Sequence, residues 1–242
     1  MLNLYCLFHK CGNKYVANAH RQYRGSSVDF VPDVVPEQAG SVPSFDQANR
    51  AINVRCRNFG FDDLNDNGLL DMPDVRFLVF TRHPASFILS AVKYHLRGTE
   101  RWAQSELLSR IGDVPLTPAL QGARNAAEQQ IIAIRQFLGI YERQASLVPL
   151  FDDERVMRVT CEELFTTTSD DFFQGVAEFL RVGHSRRFVQ ALKNASPAYK
   201  ADLPKHSTGA FRLTNPYSLL EPEAQAEYDK EFRGIEKVLG YG

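Results

Sequence analysis

Lys10 follows a short apolar segment at the start of the chain and stands two residues before a glycine, Gly12. The segment, residues 2–8, predicts a buried strand, and the pattern of residues 13–24 predicts a helix. A loop that joins a strand to a helix directs backbone N–H groups outward at the positive end of the helix dipole, which favours binding of phosphate or sulfate. Lys10 would add a full charge there. The stretch alone is a weak signal, because it lacks the P-loop string G-x-x-x-x-G-K-[ST] and a surface lysine beside a turn glycine is common.

Arg82 and Ser90 form a second candidate anion site. Arg82 follows the apolar run at residues 75–80, and Pro84 begins the predicted helix in which Ser90 shares a face with Ser86. An arginine fork and a helical hydroxyl can together hold one phosphate. The alternative interpretation is an arginine at the end of a sheet and a serine that faces solvent.

Alternating strands and helices must position these residues. The sequence predicts strands at residues 2–8, 51–56, 75–80 and 155–161, and helices at 13–24, 84–98, 125–145 and 170–183. Continuous apolar runs such as residues 75–80 are typical of parallel strands that are covered on both faces. We therefore predict an α/β fold with a mainly parallel sheet flanked by helices, in which ligands bind beyond the carboxyl ends of the strands. Residues 31–44 and 112–122, which are rich in proline or glycine, are predicted to be loops.

Composition limits the function classes. The chain has 242 residues, of which 44% are hydrophobic and 24% charged, and this predicts a single domain over residues 1–242. Its formal net charge is -1, so no overall field attracts nucleic acid or an anionic membrane. The cysteines form no CxxC pair, no signal-peptide pattern precedes the first strand, and no apolar run approaches the roughly 20 residues that span a bilayer. We therefore expect a cytoplasmic protein with free thiols, no nucleic-acid partner and no stable membrane insertion.

The two candidate sites together resemble the sulfotransferases that use 3′-phosphoadenosine 5′-phosphosulfate (PAPS), in particular soluble bacterial members with a P-loop-like α/β fold. The first loop of this family commonly reads K-[ST]-G-[ST]-[ST] and corresponds here to Lys10, Cys11, Gly12, Asn13 and Lys14. The second motif commonly reads R-[DN]-P with a serine eight residues after the arginine, and it corresponds to Arg82, His83, Pro84 and Ser90. Residues 158–165 and 172–182 are similar to a later strand and helix of the family. Residues 205–216 resemble its C-terminal loop R-K-G-x-x-G-x-W-K, which closes over the nucleotide.

The resemblance implies an enzyme, a PAPS-dependent sulfotransferase that moves the sulfuryl group to a hydroxyl or amine and requires no metal. It assigns catalysis to Lys10, whose charge would stabilise the bridging oxygen during an in-line displacement. The residues that it assigns to the nucleotide are Cys11, Gly12, Asn13, Lys14, Tyr15, Arg82, Ser90, Lys205, Ser207, Thr208, Gly209 and Phe211. This sequence departs from the family at Asn13 and Lys14, which replace hydroxyl residues, and at His206, which replaces a glycine.

The acceptor, the general base and the function class stay open at this point. The acceptor is a small molecule, a carbohydrate, a lipid or a peptide. Candidates for the base are His20, Glu37, Asp62, Asp63 and His95, although each is better explained as a solvated or partly buried side chain. A nucleotide or small-molecule kinase is the alternative enzyme, but the Walker lysine and hydroxyl pair is missing. A degenerate nucleotide-binding module without catalysis is the second alternative.

Residues 63–74 match the calcium-loop pattern D-x-N-x-N-G. The potential oxygen ligands are Asp63, Asn65, Asn67, Asp71 and Asp74. No convincing helix precedes this stretch, Pro73 interrupts a following helix, and Asn, Asp and Gly are also common in turns. We expect a turn here rather than a calcium site.

Overall fold

The structure, a computed structural model, describes residues 1–23, 28–34, 51–182, 185–199 and 214–242. It has two compact units. The first comprises Met1–Thr81 and Ser146–Asp202, and the second comprises Arg82–Ala145 and Leu203–Gly242. The single domain predicted over residues 1–242 stays a prediction.

A five-stranded parallel sheet forms the centre of the first unit. Its strands are β1 (Leu2–Leu7), β2 (Val28–Val34), β3 (Ala51–Arg57), β4 (Val75–Thr81) and β5 (Val156–Thr160). They lie in the order β2-β3-β1-β4-β5, and every neighbouring pair is parallel. The predicted α/β class with a parallel sheet is confirmed. Because β1 pairs with β3 on one side and with β4 on the other, the loop after β1 leaves from the middle of the sheet.

The two central strands are buried as their apolar runs predict. All six residues of β1 are buried, and β4 is buried at every position except Arg76. The backbone register pairs Leu4 of β1 with Val54 of β3 and with Phe77 of β4. A strand with hydrogen-bonded neighbours on both edges and side chains covered on both faces cannot shift without burying polar groups. Its carboxyl end is therefore fixed in space.

The helices occupy most of the chain between the strands. In chain order they are α1 (Asn13–Tyr23), α2 (Phe61–Asp66), α3 (Pro84–His95), α4 (Arg101–Ser105), α5 (Leu116–Gly122), α6 (Ala126–Ser146), α7 (Cys161–Thr166), α8 (Asp170–Phe179), α9 (Ser185–Ala195), α10 (Pro222–Glu231) and α11 (Arg233–Val238). In the first unit α1 and α8 both pack against α9. Helix α1 also covers one face of the sheet, where the rings of His20 and Tyr5 meet edge to face with centres 4.9 Å apart.

A ladder of buried polar side chains lies beneath α1. Asn3 and Asn53 are opposite each other on β1 and β3, and the amide nitrogen of Asn3 donates to the Oδ1 atom of Asn53 at 3.1 Å. The hydroxyl of Tyr5 donates to the same oxygen at 2.9 Å, and Asn3 also donates to the carbonyl of Leu180 at 2.9 Å. These bonds tie two strands and the end of α8 together, so the pairing of β1 with β3 is specified by polar as well as apolar contacts.

An aromatic cluster forms the core of the second unit. The ring of Phe87 in α3 lies 5.0 Å from that of Phe137 and 5.3 Å from that of Tyr141, both in α6. Tyr141 in turn contacts Phe232, at the end of α10, with ring centres 5.2 Å apart. Edge-to-face packing of this kind orients the helices as well as burying area. It holds α3 and α6 against the C-terminal segment.

Two predicted loops are wrong in part. Residues 31–34 belong to β2, and residues 116–122 form α5. Strand β2 lies at the edge of the sheet, where Pro32 is tolerated, and its pairing with β3 shifts register between Val31 and Val34. Helix α5 is short, and Leu116 and Leu120 bury one face of it. In both cases tertiary contacts outweigh the local proline signal.

None of the helices within the described residues combines the length and apolar character that crossing a membrane requires. All four cysteines lie in the described part of the chain and are buried thiols. The predicted cytoplasmic location stays a prediction.

Candidate anion-binding site

The loop after β1 bends sharply at Lys10. The backbone N–H of Cys11 donates to the carbonyl of Phe8 at 3.0 Å, which closes a four-residue turn. Lys10 occupies the third position of this turn with a φ angle of 59°, in the left-handed region that non-glycine residues seldom adopt. Such a conformation costs about 1–2 kcal/mol in a lysine. A strained backbone at the predicted catalytic lysine is typical of functional loops.

Gly12 is required where α1 begins. Its φ angle is 80°, and its carbonyl accepts the backbone N–H of Val16 at 2.9 Å, so Gly12 is the residue that precedes the first helical turn. A Cβ atom at this position would lie 2.9 Å from Cδ1 of Phe80 in β4. Glycine also has no side chain to take up the N–H groups of the first turn. No side chain of Gly12 therefore caps the first turn of α1.

Asn13 stabilises the loop from within. Its side-chain Nδ2 donates to the carbonyl oxygen of Phe8 at 2.6 Å. Its Oδ1 atom is buried and makes no hydrogen bond to any residue that the structure describes. The amide that replaces a family hydroxyl therefore ties the first residue of α1 to the first residue of the turn.

The remaining loop residues differ in exposure. Cys11 is fully buried, Tyr15 is 5% exposed, and Lys14 is exposed. The ring of Tyr15 contacts Phe165 at 6.0 Å between centres, and its side chain lines a small cavity in the first unit. No acidic residue lies in the first turn of α1, which favours an anion at this end of the helix.

In the second unit Arg82 is buried, and a serine of the helix that follows it orients its guanidinium. Its guanidinium donates to Oγ of Ser86 from Nε at 3.3 Å and from Nη2 at 3.2 Å. Its carbonyl oxygen accepts the hydroxyl of Tyr141 at 3.1 Å. Ser90 lies one turn beyond Ser86 on the same helix and is 5% exposed. The structure thus confirms the shared face of Ser86 and Ser90, and it adds Ser86 and Tyr141 as residues that orient the arginine.

Among the base candidates, His95 has a carboxylate beside its ring. Nδ1 of His95 lies 3.6 Å from Oε2 of Glu100, and the same oxygen accepts Nε1–H of Trp102 at 3.0 Å. The imidazole is 1% exposed and stacks on Phe137 with centres 5.7 Å apart. A carboxylate beside Nδ1 favours the tautomer that carries its hydrogen on Nδ1, which leaves Nε2 as the nitrogen that can accept a proton.

The other base candidates have structural roles or lie elsewhere. His20 is buried against Tyr5, and burial, reinforced by the charge of Arg55, lowers its pKa well below the usual range. The carboxylate of Asp63 accepts the backbone N–H of Gly60 at 2.7 Å, and Asp62 is exposed in the first turn of α2. The fifth candidate, Glu37, lies outside the described residues.

The predicted turn at residues 63–74 has a conformation unlike a calcium loop. Its first residue, Asp63, lies inside α2, and its carboxylate caps that helix. The guanidinium of Arg155 donates to the carbonyls of Leu70 at 2.9 Å and Met72 at 3.3 Å. A cationic side chain thus occupies carbonyl oxygens of this stretch, which disfavours a metal cation there.

The predicted C-terminal loop, with its nucleotide-binding residues Lys205, Ser207, Thr208, Gly209 and Phe211, lies outside the described residues.

A scan against models of known protein families finds no match, and a search of curated proteins finds no similar sequence. Among solved structures, the chain is similar to the crystal structure of a mouse sulfotransferase, SULT7A1, complexed with PAP. The match has a TM-score of 0.57 at 11% sequence identity and covers 98% of this chain and 84% of that chain. At this identity the similarity establishes the fold, and the protein has the α/β sulfotransferase fold. Membership in the family and a bacterial origin stay predictions.

The contact between Gly12 and Phe80 can be tested by adding a methyl group. Gly12→Ala combines an unfavourable φ angle, worth about 1 kcal/mol, with overpacking against Phe80, worth about 1–3 kcal/mol. Gly68→Ala is the matched control, because Gly68 has a φ angle of 65° and a Cβ there meets nothing within 4 Å. Urea unfolding should show a larger loss of unfolding free energy for Gly12→Ala than for Gly68→Ala. Equal losses would contradict the close packing of the loop on β4.

The strain at Lys10 can be released with glycine. Lys10→Gly should raise the free energy of unfolding by about 1 kcal/mol, because glycine adopts the left-handed region without penalty. Asp113→Gly is the control, since Asp113 is exposed and has a φ angle of 55° in the second unit. Both variants should gain stability in thermal or urea unfolding. A loss of stability in Lys10→Gly alone would mean that the contacts of the lysine side chain outweigh the strain.

Proposed function

We propose that the protein is a sulfotransferase that takes the sulfuryl group from PAPS and transfers it to a hydroxyl or amine of an acceptor. The observation that carries the proposal is the strained turn at Lys10, placed before the N-terminus of α1 in a chain with the sulfotransferase fold. Backbone N–H groups with no acidic neighbour in the first turn suit the 5′-phosphosulfate. The mouse structure of similar fold is a complex with PAP.

The proposed reaction is an in-line displacement at sulfur. The acceptor oxygen or nitrogen forms a bond to sulfur, the bond from sulfur to the bridging oxygen breaks, and 3′-phosphoadenosine 5′-phosphate leaves with the electron pair. The acceptor proton passes to a base. Negative charge grows on the bridging oxygen as the bond breaks, so the ammonium of Lys10 would stabilise the transition state more than the ground state.

Arg82 and Ser90 are proposed to bind the 3′-phosphate of the same nucleotide. Strands β1 and β4 are parallel neighbours, so the chain leaves both of them at the same edge of the sheet. Arg82 directly follows β4, and Ser86 and Tyr141 already hold its guanidinium and its carbonyl. A preorganised arginine loses little conformational entropy when it binds a phosphate. The residues of the predicted C-terminal loop keep their proposed place over the nucleotide.

The base and the acceptor are the least defined parts of the proposal. His95 is the base candidate that the geometry favours, because Glu100 stands beside its Nδ1 atom. The acceptor is proposed to be a small molecule, a carbohydrate or a lipid.

The role of Arg82 can be tested with two nucleotides. At 100 times its dissociation constant, 3′-phosphoadenosine 5′-phosphate should stabilise the wild-type protein by about 2.7 kcal/mol. AMP at the same concentration should raise the melting temperature much less, because it lacks the 3′-phosphate. Arg82→Ala should abolish this difference, whereas Arg101→Ala, which removes an exposed arginine of the same unit, should preserve it. Equal shifts by both nucleotides in the wild-type protein would remove Arg82 and Ser90 from the proposed role.

The two lysines of the loop should separate binding from chemistry. Lys10→Ala should weaken donor binding modestly and lower turnover by roughly a hundredfold, because its contact strengthens as charge develops. Lys14→Ala, which changes an exposed lysine four residues later, should change turnover little. Hydrolysis of PAPS to sulfate serves as the slow assay until an acceptor is known. The reverse result would make Lys14 the catalytic cation, and nucleotide binding without turnover on any acceptor would favour the non-catalytic module.

A further inference from the structure

A cluster of polar side chains around the buried carboxylate of Glu236 adjoins Arg82 in the second unit and has no part in the reaction proposed above. Its centre is His83, which stands where the resembling family commonly has aspartate or asparagine. The Nδ1 atom of His83 accepts the backbone N–H of Ala85 at 3.2 Å, and Pro84 occupies the start of α3. The imidazole therefore caps the helix in the way that an aspartate or asparagine side chain does.

The second ring nitrogen of His83 is bound to a carboxylate in the C-terminal helix. Nε2 lies 3.1 Å from Oε1 of Glu236 in α11. Because Nδ1 is an acceptor, Nε2 carries the hydrogen and donates it to the carboxylate. Burial, together with the charges of Arg233 and Arg82, lowers the pKa of His83 to about 4, so the ring is neutral at neutral pH. A neutral imidazole agrees with this pattern, in which one ring nitrogen accepts a hydrogen bond and the other donates one.

Glu236 is held from two sides. It is only 2% exposed, and its other oxygen accepts Nη1–H of Arg233 at 3.0 Å. Burial raises the pKa of this carboxyl, and the charge of Arg233 opposes the shift. The ring of Tyr241 packs beside His83 with centres 5.3 Å apart. The C-terminal segment thus fixes the imidazole by one hydrogen bond and one ring contact.

A histidine cap has a requirement that an asparagine cap lacks. The side chain of His83 is only 16% exposed, and its second N–H lies against the buried carboxylate of Glu236, so leaving this N–H unpaired is costly. Without Glu236 the ring would turn to find another partner, and the bond to Ala85 would be lost. Arg82 is the preceding residue, and its guanidinium reaches Ser86 within the same first turns of α3. A change in the cap therefore changes where the guanidinium points.

We propose that Glu236, acting through His83, is a positioning residue for Arg82 and determines how strongly the protein prefers a nucleotide that carries a 3′-phosphate. The inference rests on the proposed function, in which Arg82 binds that phosphate. It assigns to the C-terminal helix a role in specificity, because Glu236 would act through His83 and not by binding the nucleotide itself.

The test compares the affinities of 3′-phosphoadenosine 5′-phosphate and AMP by calorimetry on the full chain. Glu236→Met keeps the bulk of the side chain and removes the acceptor. It should weaken binding of the 3′-phosphorylated nucleotide about tenfold and leave AMP unchanged, so the ratio of the two affinities falls about tenfold. In the His83→Asn background, where the short amide caps α3 by itself, the same Glu236→Met change should leave the ratio unaltered.

Leu239→Ala is the control for general damage, because Leu239 is fully buried in the same C-terminal segment and has an apolar side chain that forms no hydrogen bond. It should lower the melting temperature without changing the ratio of affinities. If Glu236→Met does not fold, Glu236→Gln replaces it, with a smaller expected loss of about threefold because a neutral acceptor binds the imidazole N–H more weakly.

Three results would overturn the inference while leaving the proposed function in place. They are an unchanged ratio in both Glu236 variants, an equal fall in the His83→Asn background, and an equal fall in Leu239→Ala. If the wild-type protein binds AMP and the 3′-phosphorylated nucleotide equally or not at all, the proposed function itself fails and the inference fails with it.

Discussion

The packing of Gly12 on the ring of Phe80 is the constraint on which the candidate site depends. Strand β1 is buried on both faces and paired on both edges, so its end has one position relative to β4. The chain must then turn and start a helix directly beside a phenylalanine of that neighbouring strand. Only a residue without a Cβ atom fits there, and glycine also adopts the positive φ angle of 80° that the chain takes before α1. The core thereby determines where α1 begins, and with it the place of the proposed anion site.

This arrangement explains how the loop tolerates unusual side chains. Backbone N–H groups and a helix dipole attract an anion whatever side chains surround them, provided that the turn keeps its shape. Asn13 preserves that shape by bonding to the carbonyl of Phe8, although it replaces a hydroxyl of the resembling family. Lys10 adds a positive charge to the loop, although its backbone has a strained, left-handed conformation. In the proposed function, binding and catalysis at this loop therefore depend on one cation and on backbone N–H groups.

The second unit uses a different means to orient its cation. Arg82 is held by Ser86 at its guanidinium and by Tyr141 at its carbonyl, and the next residue caps the helix with an imidazole. That imidazole depends on a carboxylate from the far end of the chain. A polar network of this kind is specific because every buried donor in it needs its acceptor. The surroundings of Arg82 therefore include contacts made by residues far from it in the sequence.

The sequence by itself determined the central elements and the residues that follow them. Strands β1 and β4 were predictable because burial on both faces leaves a continuous apolar run. The positions of Lys10 and Arg82 just beyond those strands followed from the same runs, whereas their roles stay a prediction. Strand β2 and helix α5 were not predictable from the sequence. Their prolines are typical of loops, and both elements depend on contacts with residues distant in the sequence. Only the tertiary structure decided that Phe80 excludes a Cβ at Gly12 and that His83 is bonded to Glu236. The reason is physical: periodicity is a local property of the chain, whereas a buried hydrogen bond or a close contact joins residues that only folding brings together.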